Sequence, residues 1–142
     1  MFEWAASRIA DEICARKKLA HRPKAADPIT TKQLVSFLGK AGVMANPFAV
    51  AREIEAVDDL RAVRHCIAHC DGDPSRLRSK EDQQRVETLI ASGIGISHIG
   101  NSPLIDPDES WRVWVEECYC FKAHSDVFAF LKKVMTAAKC FS

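Results

Sequence analysis

The chain has 142 residues, of which 47% are hydrophobic, 8% aromatic and 27% charged. That is the composition of one globular domain, and it excludes a disordered tail, a collagen-like fibre or a two-lobed enzyme. Twenty Lys and Arg against 19 Asp and Glu leave a formal charge of +1, which excludes a domain that is basic overall and coats nucleic acid through that charge alone.

Helical periodicity starts at once. Phe2, Ala6, Ile9 and Ile13 fall on one stripe of an amphipathic helix. Arg16, Lys17 and Lys18 close it, where the helix dipole favours cations. Residues 21–29 contain Pro23 and Pro28 and read as a connector. Thr30 and Gln33 have the spacing of a capping box ahead of a second helix with Leu34, Phe37 and Leu38 inward, ended by Gly39 and Gly42. Asn46-Pro47 is a start signal, because Asn accepts from free backbone N–H groups and Pro has none to leave unpaired.

The third helix is expected from about Pro47 to Cys70, with Val50, Ile54, Val57, Leu60 and Ile67 as its core stripe and Asp71-Gly72-Asp73-Pro74 as its stop. Ser79 caps a fourth helix with Val86, Leu89 and Ile90 inward, and Gly93 ends it. From 94 to 115 the period changes. Ile94, Ile96 and His98 alternate with Gly and Ser, and Trp111, Val113 and Val115 alternate with Arg112 and Trp114, around a turn-rich centre. A last helix over 116–138 places Phe121, Phe128, Leu131 and Met135 on one side. The expected fold is all-α: a single domain over 1–142, an antiparallel bundle of four to five helices with a small β-hairpin or flap near 94–115.

No apolar run approaches a membrane span. The opening Met1-Phe2-Glu3-Trp4-Ala5-Ala6-Ser7-Arg8 lacks the layout of a secretory signal, so a cytoplasmic location is expected. The six cysteines (Cys14, Cys66, Cys70, Cys118, Cys120 and Cys140) are spaced poorly for disulfides and are expected as free, mostly buried thiols.

Chemistry concentrates in Leu60-Arg61-Ala62-Val63-Arg64-His65-Cys66-Ile67-Ala68-His69-Cys70-Asp71-Gly72. At about 100° per residue, Arg64 falls about 40° from Leu60, inside the expected apolar arc. A lone Arg there is costly to bury, so it must snorkel out, pair with an acid such as Asp58 or Asp59, or face a partner subunit. His65 and His69 are one turn apart on a face away from the core, and His69 stands beside the free carbonyls of the helix end. Binding those carbonyls would suffice to account for His69. His65, Cys66, His69 and Cys70 are also zinc-type ligands, and i,i+4 pairs chelate, but a closed tetrahedral site normally recruits a second element. Cys118-x-Cys120 could supply one only if the last helix packs alongside, and no metal site is expected.

Arg64-His65-Cys66-Ile67-Ala68-His69 resembles the R-x(4–6)-H motif of the HEPN superfamily, and the polar Asp71-Gly72-Asp73 turn resembles the way that family's motif helix ends. His65 stands where the family most often has Asn, a position that also tolerates Asp or His. The resemblance implies a small helical bundle that forms a homodimer and acts as a metal-independent endoribonuclease, without cofactor, in toxin–antitoxin or other defence systems. Arg64, His69 and His65 would then be the catalytic residues, and RNA the substrate. The alternative is a non-catalytic module of the same build that binds a nucleotide, an RNA or a partner protein such as an antitoxin.

The chemistry so implied is physically sound. Imidazole, which titrates at about pH 6.5, can take the proton of a 2′-hydroxyl, and a guanidinium offers planar paired donors to phosphate. Five residues of helix, however, separate Arg64 and His69 by about 140° around the axis, which a two-fold dimer would relieve by joining two motifs in one cleft.

Arg61, Lys17 and Lys18 are the candidate RNA-binding residues. Trp111-Arg112-Val113-Trp114 could stack bases, although aromatics in a hairpin commonly serve core or interface. From Arg8 to Lys24 six Lys or Arg stand against Asp11 and Glu12, a local +4, so the rest of the chain carries −3. The near-neutral total thus hides an uneven distribution, compatible with brief contact between RNA and one small site.

Overall fold

The computed structural model describes residues 2–19, 30–44, 46, 50–99 and 112–139. Among them lie helices α1 (Phe2–Lys17), α2 (Thr31–Lys40), α3 (Ala51–Cys70), α4 (Lys80–Ser92) and α5 (Glu117–Lys139), and strands β1 (Ile96–His98) and β2 (Val113–Val115). The fold is an all-α helical bundle with one small antiparallel sheet. No helix among the described residues is long and apolar enough to cross a membrane. The chain forms two compact units, Met1–Glu55 with Asp126–Ser142, and Ala56–Ser125; their boundaries fall inside α3 and α5.

In the first unit the local signals act as expected. Gln33 N–H donates to Thr30 Oγ1 at 3.3 Å and Thr30 N–H to Gln33 Oε1 at 2.9 Å, a complete capping box at the start of α2. Gly42, at φ +65°, turns the chain back so that the Val43 and Met44 N–H groups reach the Leu38 carbonyl at 2.9 and 3.2 Å. Lys17 Nζ donates to the Ala41 carbonyl at 3.0 Å and ties the end of α1 to the end of α2. Ala10, Ile13, Leu34, Leu38, Phe130 and Val134 are buried. The Lys133 ammonium bonds Glu53 and holds its carboxyl below the ordinary range. Pro47 of the Asn46-Pro47 start signal lies outside the described residues, as do the whole 21–29 connector and the centre of the expected flap.

In the second unit, Ser79 caps α4 by accepting from Asp82 N–H at 3.2 Å, and Gly93 ends it at φ +64°. The strands pair antiparallel with Ile96 opposite Val115 and His98 opposite Val113. Ala62, Val63, Cys66, Cys70, Leu77, Val86, Ile96, Val113, Tyr119 and Ala123 form one core, with Leu60, Leu89, Ile90 and Val115 half-buried against it.

Two helix faces differ from the sequence reading. On α3, Ile67 is 47% exposed and Ile54 and Leu60 are only half-buried, while Ala62, Val63, Cys66 and Cys70 face inward. These side chains share one core with Ile96 and Val113 of the sheet, and cysteine is among the residues most readily buried. On α5, Phe121, Phe128 and Met135 are exposed and Leu131 is half-buried; Tyr119, Ala123, Phe130 and Val134 are inside. The phase of α5 is set at its start. Glu116 N–H donates to the Gly95 carbonyl at 2.8 Å, and a Cβ on Gly95 would stand 2.9 Å from the Tyr119 backbone nitrogen. Tyr119 is thereby held against the strand. Phe121, two residues on, then falls about 160° around the axis from it, on the far side.

Candidate functional site

The C-terminal half of α3 gathers the candidate residues. Its inward stripe places Arg64 two residues from both Ala62 and Cys66, about 160° round the axis from each. Arg64 is accordingly exposed and not inside an apolar arc. Among the described residues its guanidinium makes no hydrogen bond or ion pair. Asp59, one of the acids considered for it, pairs instead with Arg85, whose Nη1 lies 2.9 Å from Asp59 Oδ1 and whose Nη2 lies 3.2 Å from Glu81 Oε1.

His65 and His69 are both exposed, with ring centres 5.1 Å apart and planes at 80°. They share a face as the spacing requires. Helix α3 stays helical through Cys70, so Arg64 and His69 of one chain diverge by about 140°. Arg61 is differently engaged: its Nη2 lies 3.0 Å from Oδ1 of the buried Asp82. Lys17 and Lys18 belong to the other unit, Lys17 bonded to Ala41 and Lys18 exposed at φ +51°.

The turn after His69 is tightly held. Asp71 adopts φ +57° and Gly72 φ +78°. Gly72 N–H donates back to the Cys66 carbonyl at 3.0 Å and Asp73 N–H to the Cys70 carbonyl at 2.9 Å, closing the helix end. The turn is then pinned to β2: Val113 N–H donates to the Gly72 carbonyl at 2.9 Å, and Arg112 Nη2 lies 2.9 Å from Asp71 Oδ2. Asp73 Oδ1 accepts from the Ser75 N–H at 2.9 Å and its hydroxyl at 2.7 Å. Sequence reasoning missed the Arg61–Asp82 and Arg112–Asp71 pairs; residues 21 and 41 apart in the chain carry no local signal of pairing.

The cysteines divide. Cys66 and Cys70 are buried, Cys14 is half-buried, and Cys118 and Cys120 are exposed, all five free. Burial pushes the Cys66 thiol up to about 11, with Cys70 and Asp73 adding to the shift, which makes it a poor nucleophile. Among the described residues no three His, Cys, Asp or Glu side chains group as metal ligands, since His65 and His69 face out where Cys66 and Cys70 face in. Trp114 is 57% exposed, and Trp111 lies outside the described residues.

Comparison with protein-family models, with curated proteins and with solved structures found no match. The site therefore stands on its own chemistry: a guanidinium with uncommitted donors and two solvent-facing imidazoles, on a helix end braced by a strand.

Proposed function

We propose that the chain is a metal-independent endoribonuclease of the HEPN kind, working as a homodimer. The observation that carries this reading is the exposed Arg64 guanidinium, without a partner among the described residues, on the same helix end as His69. His69 takes the proton of a ribose 2′-hydroxyl, and that oxygen attacks the adjacent phosphorus. The 5′-oxygen departs with a proton from solvent or imidazolium, leaving a 2′,3′-cyclic phosphate and a 5′-hydroxyl. Arg64 donates to the non-bridging oxygens as charge builds on them. His65 orients its neighbour His69. The divergence of Arg64 and His69 along one regular helix calls for two chains, each supplying part of one cleft.

The test is RNA incubated with the purified full chain in EDTA. Cleavage to cyclic-phosphate ends is the expected result, lost on Arg64→Ala or His69→Ala. RNA that stays intact at high enzyme concentration ends the catalytic reading.

A second reading, a binding module without catalysis, has one observation of its own. Phe128 and Met135, one heptad apart on the first unit's part of α5, are 63% and 50% exposed, and exposed apolar side chains on one helix face favour a protein partner such as an antitoxin. Under it RNA survives the EDTA assay, and polar substitution of Phe128 and Met135 abolishes partner binding.

A further inference from the structure

The two imidazoles on α3 have a second chemical capacity. Histidines at i and i+4 of a helix project side by side and can bind one metal ion between them. Zinc–nitrogen bonds of about 2.0–2.1 Å put the ring centres of two imidazoles on a tetrahedral ion about 5 Å apart. His65 and His69 stand 5.1 Å apart, centre to centre, with ring planes at 80°. Both are exposed, so an ion can enter without displacing core side chains.

The surrounding charges permit it. The Arg61 guanidinium, one turn before His65, is neutralised by Asp82. Arg64 leaves the helix about 100° from His65 and 140° from His69. Asp71, two residues past His69, is bonded to Arg112.

We infer that His65 and His69 form a two-imidazole site for a divalent transition-metal ion, and that the ion acts as an inhibitor. Each ring donates one nitrogen lone pair, and water fills the remaining positions, since no third ligand joins them among the described residues. Carboxylate-preferring Mg²⁺ and Ca²⁺ bind poorly to such a pair, and copper binds more tightly than nickel or zinc. An imidazole bound through its lone pair cannot accept a proton. The inhibitory consequence rests on the ribonuclease reading; the binding itself does not.

The test is calorimetric titration of Zn²⁺, Ni²⁺ and Cu²⁺ into metal-stripped full chain. Cys118→Ser and Cys120→Ser are built into every sample, because exposed thiols also take these ions. The expected result is near one ion per chain. His65→Ala or His69→Ala should weaken binding about tenfold or more, because the second imidazole acts as an intramolecular ligand. His124→Ala on α5 should leave it unchanged. Binding that is equal in the His65, His69 and unsubstituted chains, or absent up to millimolar ion, overturns the site. Circular dichroism of each variant separates lost ligation from lost fold. In the RNA assay the expected outcome is cleavage in EDTA, and equal cleavage by metal-stripped chain in chelator-free buffer that added Zn²⁺ suppresses. Intact RNA in EDTA together with His-dependent metal binding removes the ribonuclease reading and leaves the metal site standing.

Discussion

Arg61 Nη2 lies 3.0 Å from Asp82 Oδ1, and the Asp82 side chain is only 8% exposed while that of Arg61 is 46% exposed. The acid is thus committed to the interior and the base to its rim. Removing the base leaves a buried carboxylate without its counter-charge, which costs far more than a surface pair is worth. Arg61→Ala should therefore destabilise the chain by about 1–3 kcal/mol. Arg64→Ala, three residues on but without a partner among the described residues, should stay within about 0.5 kcal/mol. Urea denaturation of the two variants measures the contrast directly; equal losses would mean that the Arg61–Asp82 pair does not support the fold.

The same two arginines should separate in the opposite sense in an activity assay. Under the proposed reading, Arg64→Ala and His69→Ala lower RNA cleavage by about a hundredfold or more, with urea midpoints unchanged. Arg64→Lys should recover little, because an ammonium cannot reproduce the planar paired donors of a guanidinium. Full activity in Arg64→Lys would assign Arg64 a purely electrostatic role.

Which parts of this could be read beforehand follows from how local each cause is. Thr30 with Gln33, Ser79 and Gly93 act on backbone groups within four residues, and each end was placed from sequence. The strands near Ile96 and Val113 showed as a change of period. Val50 and Val57 are buried as the apolar stripe of α3 requires, but the inward face of the second half of α3 and that of α5 did not follow from hydropathy. Leu60 and Ile67 outweigh Ala62, Cys66 and Cys70 on any apolar scale, yet the small residues take the core. At the start of α5, Phe121 competes with Tyr119, and a contact with Gly95, more than twenty residues earlier, decides between them. The candidate site follows the same division: the i,i+4 spacing alone puts His65 and His69 on one outer face, whereas Arg64 falls inside an apolar arc only if Leu60 marks its centre, and Ala62 and Cys66 mark it instead.

Gly95 should be the least replaceable glycine among the described residues. At φ +71°, an added Cβ would meet Cys118 Sγ at 2.7 Å and Tyr119 Cβ and N at 2.9 Å. Gly95→Ala must both strain the backbone and push the start of α5 away from the strand. A loss of about 2–4 kcal/mol follows from the combined overpacking and positive φ. Gly72, at φ +78°, would place its Cβ 3.4 Å from Val113 N, tight but without overlap. Gly72→Ala should cost about 1–2 kcal/mol, mostly backbone strain. Thermal midpoints of the two variants rank them, and a Gly95→Ala protein as stable as Gly72→Ala would contradict this account of how α5 is phased.

The buried thiol of Cys66 should make the chain sensitive to alkali. Its folded-state value rises from the ordinary 9.0 to about 11, so the unfolded chain loses this proton at lower pH than the folded one. The stabilising contribution is therefore complete below about pH 9 and drains away as pH rises toward 11. Cys66→Ala, which removes the titrating group, should flatten that alkaline limb when stability is followed from pH 8 to 11, although it lowers stability at neutral pH through the small cavity it leaves. Thiol labelling gives an independent reading. Cys118 and Cys120 are exposed, whereas Cys66 and Cys70 are buried, so near pH 8 the first pair should react in the native protein and the second only on unfolding. Native-state labelling of Cys66 as fast as that of Cys118 would show that α3 opens at its C-terminal end, and with it the surface that carries Arg64, His65 and His69.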